Sequence, residues 1–172
     1  MTASLCWWLT GLPGAGKTTL ATALVAALQQ RGEAACLLDG DEVRLGLCRD
    51  LGFSTEARHE NMRRVAEMAG LLHKSGIHAV VALVSPTVEG RALACNIIGE
   101  NRFLEIHVAT PLEVCKARDP KGLYAKARIN PAMSMTGVQA GYESPPQPRL
   151  SIDTSQQSVP DAVIALLRLS DQ

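Results

Sequence analysis

The sequence predicts an α/β fold with a mainly parallel sheet and helices on both faces. Two observations carry this. Short apolar runs alternate with longer stretches of helical period along nearly all of the 172 residues, and parallel strands need such crossover connections. A glycine-rich loop also stands between the first apolar run and the first helical stretch, the position it holds in a β-loop-α unit. Taken in order, residues 4–10 read as a strand and 17–30 as a helix, with Leu20, Leu24 and Leu28 on one face. Residues 34–39 form a second strand. A long helix follows over 55–74, where Met62, Val65, Ala69 and Leu72 share a face. Then come a strand at 77–84, a helix at 88–98, a strand at 103–108, a short helix at 112–118, a strand at 150–152 and a helix at 160–169. Two segments break the alternation. Residues 119–137 are too long for an ordinary connection and suit a segment that closes over a site. Residues 141–148, with Pro145, Pro146 and Pro148, read as a stiff connector without a function of its own.

Length predicts one domain spanning 1–172, with a lid near 119–137. Seventeen Lys and Arg balance seventeen Asp and Glu, which argues against nucleic acid or an anionic membrane as partner, since both need a basic surplus. The longest apolar stretch, near 77–84, falls well short of the roughly 20 residues of a bilayer span. The N-terminus runs through Trp7 and Trp8 into the glycine loop without a basic leader, so a cytoplasmic protein is expected. The five cysteines (Cys6, Cys36, Cys48, Cys95 and Cys115) show no CxxC spacing and read as free thiols. His59, His73, His78 and His107 lack metal-ligand spacing, and Trp7 and Trp8 suit packing on the two faces of the first strand.

Gly11-Leu12-Pro13-Gly14-Ala15-Gly16-Lys17-Thr18 fits GxxxxGK[ST] at every fixed position. In that pattern backbone N–H groups converge on phosphate oxygens at a helix N-terminus, Lys17 reaches the β/γ-phosphates and Thr18 ligates Mg²⁺. The fold is therefore of the P-loop nucleoside triphosphate hydrolase-like kind. No N/T-K-x-D element marks a guanine-specific switch, and the chain is short for a ring ATPase, so a small kinase fits best. Its acceptor must be read from the other strand ends, where ligands of open parallel sheets bind. After the second strand, Asp39 and Asp41 can serve Mg²⁺ and its waters or accept a proton from an attacking hydroxyl; Asp39 suits the metal and Asp41 the base, although Asp41 also suits a helix N-cap. Arg44, Arg58, Asn61, Arg63 and Arg64 follow. Arg58 and Asn61 share a helix face; directed inward these groups bind an anion, directed outward they are solvated. Ser85 follows the third strand and suits either a pocket or a strand-to-helix cap.

At GLPGAGKTT (11–19), LDGDEVRLGL (38–47), DLGFSTEARHENMRRVAEMA (50–69), VSP (84–86), EIHVATPLEVCKARDPKGLYAKAR (105–128), TG (136–137), YE (142–143) and IDT (152–154) the chain resembles adenylylsulfate kinase. The resemblance implies transfer of the ATP γ-phosphate to the 3′-hydroxyl of adenosine 5′-phosphosulfate, giving 3′-phosphoadenosine 5′-phosphosulfate for sulfate assimilation. It implies that residues 11–18 with Thr19 and Arg118 bind ATP, that Thr18 and Asp39 hold Mg²⁺, and that Lys17, Asp39 and Asp41 serve the chemistry. Phe53 would stack on the acceptor adenine. Arg44, Arg58 and Asn61 would hold its phosphosulfate and ribose, and Val84 and Ser85 would line its pocket. Ser85 corresponds to the serine described in the family as a phosphoserine intermediate, a step that direct in-line transfer does not need. Lys121 would belong to the lid, and a homodimer would be common.

The chain departs from the family pattern at Ala57, where an Asp is usual, and at Met135, where a second aromatic platform is usual. It departs again at Gln139 and Ala140, where an acidic pair is usual, and at 129–131, which lacks the usual glycine and acid. Loss of a ring weakens stacking worth about 1–3 kcal/mol per base. A kinase for another nucleotide-like acceptor and a non-catalytic nucleotide-binding subunit are the alternatives. Retention of Lys17, Thr18, Asp39, Asp41, Arg44, Arg58 and Asn61 speaks against the second of these.

Overall fold

The computed structural model describes residues 4–130, 135–136, 138 and 140–171. Five parallel strands form one sheet: β1 (Cys6–Thr10), β2 (Ala35–Asp39), β3 (His78–Ala82), β4 (Phe103–Val108) and β5 (Leu150–Ile152), in the order β2-β3-β1-β4-β5. Helices α1 (Lys17–Gln30), α2 (Gly40–Leu45), α3 (Thr55–Lys74), α4 (Val88–Ile98), α5 (Leu112–Arg118), α6 (Leu123–Ile129) and α7 (Val159–Leu167) connect and flank them. Strand direction reverses its lateral course at β1 and β3. The crevice above their carboxyl ends is where a doubly wound sheet admits ligands.

Alternation along β1 divides the core. Trp7 and Leu9 join Leu20, Leu24 and Leu28 of α1 and Leu166 of α7 on one face, while Cys6 and Trp8 join Met62, Val65 and Ala69 of α3 and Ile98 of α4 on the other. Both indoles are fully buried and both ring N–H groups are satisfied. Trp7 Nε1 donates to Leu166 O at 3.2 Å and Trp8 Nε1 to Ser85 Oγ at 2.9 Å.

The structure corrects several boundaries. β1 begins at Cys6, because Ser4 turns its hydroxyl to the α3 terminus at His73 O, 3.0 Å away. β3 ends at Ala82, short of the expected Val84, because the chain leaves the sheet through Ser85 at φ +47°. α7 starts at Val159 and stops at Leu167; Ser158 caps it through Asp161 N, and Pro160 sits in the first turn, where a missing N–H costs nothing. Two helices lie outside the elements that period marks, although a helix cap at Asp41 hinted at the first. α2 follows β2 directly, and α6 lies inside 119–137, where the Asp119 carboxylate accepts from Tyr124 N and Ala125 N at 3.1 and 3.0 Å. Each is under two full turns, where a periodic pattern is weakly marked. Nor is 141–148 merely a connector: Tyr142 OH lies 2.9 Å from Thr10 Oγ1, and Glu143 accepts from Val88 N at 2.6 Å, tying the segment across the sheet's carboxyl edge. Among the described residues no helix is long and apolar enough to cross a membrane.

Candidate active site

The phosphate loop lies between β1 and α1. Gly14 and Gly16 hold φ of +77° and +100°; a Cβ on Gly14 would meet Cys115 O at 2.9 Å, and one on Gly16 would meet Thr154 Cγ2 at 3.1 Å. Only glycine fits both requirements. The loop is braced from behind: Thr110 Oγ1 and Thr154 Oγ1 donate to Ala15 O at 2.9 and 2.8 Å, and Tyr124 OH donates to Pro13 O at 2.8 Å. Arg118 donates to Thr154 through Nη1 (2.7 Å, to Oγ1) and Nη2 (3.1 Å, to the carbonyl), which orients its guanidinium beside the loop. Gly11, Leu12 and Ala15 present their carbonyls to the hydrogen bonds that shape the loop.

Lys17 is buried, and its Nζ donates to Gly11 O at 2.9 Å and Leu12 O at 2.8 Å. Burial disfavours the ammonium and lowers its pKa from the ordinary lysine value to about 8. A triphosphate favours the ammonium and raises that pKa again, so ATP binding near pH 8 must take up protons. Calorimetry in buffers of different ionisation enthalpy is expected to show roughly half a proton taken up at pH 8, falling toward zero by about pH 6.5, with no such uptake in Lys17→Ala. Equal heats after buffer correction at pH 8 would remove Lys17 from the phosphates.

Thr18 Oγ1 donates to Asp39 Oδ2 at 2.6 Å, and the other carboxylate oxygen accepts from Asp41 N at 2.9 Å. Asp39, not Asp41, is thus the N-cap of α2, which corrects the alternative raised for Asp41. A hydroxyl and a carboxylate oxygen converging at the floor of a phosphate cleft fit Mg²⁺, a hard cation that takes few protein ligands and fills its shell with phosphate oxygens and water. Asp41 instead forms an ion pair with Lys121, 80 residues along the chain. The contact joins 119–137 to the acceptor side, and both side chains are more than half exposed.

Across the cleft the Arg44 guanidinium stands 4.4 Å from the centroid of Phe53, and that of Arg58 stands 5.6 Å from it. Backbone carbonyls orient them: Arg44 Nη1 donates to Gly52 O at 3.0 Å and Arg58 Nε to Phe53 O at 3.0 Å. Burial lowers the pKa of both, and Arg44 lowers that of Arg58 further. Two partly desolvated cations beside the same ring suit a bound anion. Asn61, one helical turn beyond Arg58, is buried in the cleft wall with its Oδ1 lacking a partner among the described residues. Such an acceptor calls for a donor from a ligand. Arg63 and Arg64 go outward, to Glu60, Glu67 and Asp50. Val84 and Ser85 form the wall at the end of β3, and Met135, though packed in the core, also reaches the cleft. Of the other departures, Ala57 lies in the first turn of α3 and Ala140 pairs with Thr136, while Gln139, Gly137 and 131–134 fall outside the described residues.

Lys17, Thr18, Thr19, Asp39, Asp41 and Arg118 on one side and Arg44, Phe53, Arg58, Asn61 and Ser85 on the other therefore line one cavity of about 1060 Å³. That is at the upper end of the roughly 300–1,000 Å³ usual for ligand pockets, and its two walls carry separate anion-binding groups. Sequence reasoning missed Thr110, Tyr124, Arg91 and Tyr142. The contacts of Thr110, Tyr124 and Tyr142 span 95, 111 and 132 residues of chain and leave no local signal; Arg91 reaches Ser85 O through a turn that spacing alone does not specify.

Residues 3–153 match the family described as adenylylsulphate kinase. The chain is 52% identical over 160 residues to the adenylyl-sulfate kinase of Shewanella amazonensis, covering 93% of this chain and 81% of that one. Its structure superposes with a TM-score of 0.95 on the Mycobacterium tuberculosis APS kinase CysC in complex with AMPPNP and APS, at 37% identity over 100% of both chains. A hexameric APS kinase from Thiobacillus denitrificans gives a TM-score of 0.73 at 33% identity, over 98% of this chain and 29% of that one.

Proposed function

The chain belongs to the adenylylsulphate kinase family, and from that premise we propose how its residues carry out the reaction. The activity is ATP-dependent phosphoryl transfer to the 3′-hydroxyl of adenosine 5′-phosphosulfate, forming 3′-phosphoadenosine 5′-phosphosulfate. The observation that carries the residue-level reading is the shared cavity, which sets the phosphate loop opposite the Arg44–Phe53–Arg58 cluster.

ATP lies along residues 11–19 with its base against Arg118. Lys17 exchanges its bonds to Gly11 O and Leu12 O for phosphate oxygens and stabilises the charge that develops during transfer. Thr18 and Asp39 would hold Mg²⁺, which when bound would offset the charge of the phosphates. Phe53 stacks on the acceptor adenine, Arg44 and Arg58 take the phosphosulfate, and Asn61 accepts from a ribose hydroxyl. Asp41 accepts the proton of the attacking 3′-hydroxyl. Transfer is direct and in line; Ser85, whose Oγ accepts from Trp8 Nε1, contributes to the pocket wall. Residues 119–137 act as the lid of a single domain spanning 1–172, and the Lys121–Asp41 pair seats it. ATP as phosphoryl donor and five free cysteines suit a reducing cytoplasm. The homodimer implied by the resemblance belongs to the same proposal, and sedimentation velocity reads it.

Purified protein incubated with Mg-ATP and adenosine 5′-phosphosulfate is expected to yield ADP and a 3′-phosphorylated product in equal amounts. The same incubation with adenosine 5′-monophosphate, which lacks the sulfate, is expected to give far less ADP. ADP without the 3′-phosphorylated nucleotide would overturn the reading.

A further inference from the structure

Among the described residues Arg91 of α4 is the largest fully buried charged side chain, 1% exposed. It does not line the cleft. Its Nε donates to Glu105 Oε1 of β4 at 2.7 Å, its Nη1 donates to Ser85 O at 2.7 Å, and its guanidinium lies 5.9 Å from the Tyr142 ring centroid. Its Nη2 is buried without a hydrogen-bond partner among the described residues. Desolvating a guanidinium is costly, one carboxylate offsets part of that cost, and an orphaned donor adds to it. Stability alone therefore accounts poorly for an arginine here, so what it touches becomes the question.

It touches a residue in an unusual conformation. Ser85 has φ +47°, in the left-handed region that a residue with a Cβ seldom adopts. Such a conformation persists where surrounding contacts over-determine it. Two donors converge on Ser85, Arg91 Nη1 on its carbonyl and Trp8 Nε1 on its hydroxyl, while Thr10 Oγ1, 3.2 Å from that carbonyl, donates to the neighbouring Val84 O at 2.7 Å. Arg91 supplies the charge-assisted one, the strongest kind. The turn at Ser85 takes the chain off β3 and sets Val84 and Ser85 on the cleft wall.

We propose that Arg91 is a positioning residue for the acceptor pocket: it locks Ser85 in its left-handed conformation and so holds the Val84–Ser85 wall in register with the acceptor. This rests on the reading that Val84 and Ser85 line the acceptor's side of the cavity. The competing account is that Arg91 merely pairs with Glu105 to tie α4 to β4.

The double variant Arg91→Met/Glu105→Gln separates the two accounts, because it removes the cation and its carboxylate together and leaves no lone buried charge. If Arg91 positions Ser85, the KM for adenosine 5′-phosphosulfate rises about tenfold, the size of one charge-assisted hydrogen bond, while the KM for ATP stays within about twofold. Adding Ser85→Gly, whose backbone holds a positive φ without a Cβ penalty, is expected to recover part of the acceptor KM. An unchanged acceptor KM, an equal rise in both KM values, or no recovery with Ser85→Gly overturns the proposal. Should the double variant fail to fold, Arg91→Lys, which keeps a cation beside Glu105 without the two-pronged fork, is judged by the same KM comparison. Val84→Phe reports on the underlying reading. If it leaves the acceptor KM unmoved, the placement of the acceptor fails; if it raises that KM while the Arg91 variants do not, the positioning role alone fails.

Discussion

Replacing Lys17 by alanine is expected to lower kcat by roughly 10²–10³-fold, the range seen when one preorganised donor to transition-state charge is lost, while the protein stays folded. Lys17 opens α1, and alanine is the best helix former, so the helix is not endangered. The stability effect has two opposing parts. Gly11 O and Leu12 O lose their donor, but an ammonium whose pKa burial lowers to about 8 no longer has to be held in the interior. Above about pH 8 the unfolded chain binds more protons at Lys17 than the folded one, so the stability of the parent rises from there toward the ordinary lysine value; below pH 8 the full cost of burial is present. Lys17→Ala lacks that rise. Denaturant titrations at pH 7 and pH 9 check it, and single-turnover transfer assays check the rate. Near-normal turnover in a folded Lys17→Ala would remove the phosphate loop from catalysis.

Asp41→Asn is expected to lower kcat by about 10²–10⁴-fold, the usual worth of a positioned general base, with the KM for ATP little changed. Asparagine keeps the shape and a hydrogen-bonding oxygen but cannot take the proton of the 3′-hydroxyl. The same substitution removes the charge partner of Lys121. Because both groups are more than half exposed, the stability cost is no more than about 1 kcal/mol, so lost rate cannot be ascribed to unfolding. Lys121→Met separates the roles, since it breaks the ion pair and leaves the carboxylate. If Lys121→Met and Asp41→Asn reduce kcat equally, Asp41 anchors the lid and another group takes the proton.

Both predictions start from features that are local in the chain. The phosphate loop occupies eight consecutive positions, Asp39 and Asp41 follow a strand end, and strand and helix periods are readable within ten or so residues. These suffice for the α/β fold, the nucleotide and the reaction class, because period and motif spacing are set within each segment whatever partner it later meets.

Residue spacing alone left open which of five closely spaced polar groups would face the cleft, and only the family resemblance singled out Arg44, Arg58 and Asn61. Arg44 and Arg58 do face it, around Phe53, whereas Arg63 and Arg64 swing to Glu60, Glu67 and Asp50. The difference lies in how α3 is rotated against the sheet. Met62, Val65 and Ala69 bury one face, Asn61 is carried into the cleft with it, and the carboxylates are left outside to capture the outer arginines. Nor could sequence find the braces. Thr154 meets Ala15 across 139 residues, Tyr124 meets Pro13 across 111, and Arg91 fixes Ser85 from a helix that has already left the strand.

By itself, then, the sequence determined the order of elements, the phosphate loop and the chemistry of the residues available at each strand end, since those follow from period and spacing. The tertiary structure alone decided which of these residues share a cavity, that Asp39 rather than Asp41 caps α2, and that a buried guanidinium holds Ser85 at φ +47°. The shared cavity depends on packing between segments far apart in the chain, and even the short-range contacts, Asp39 with Asp41 N and Arg91 with Ser85 O, depend on backbone turns that residue spacing does not specify.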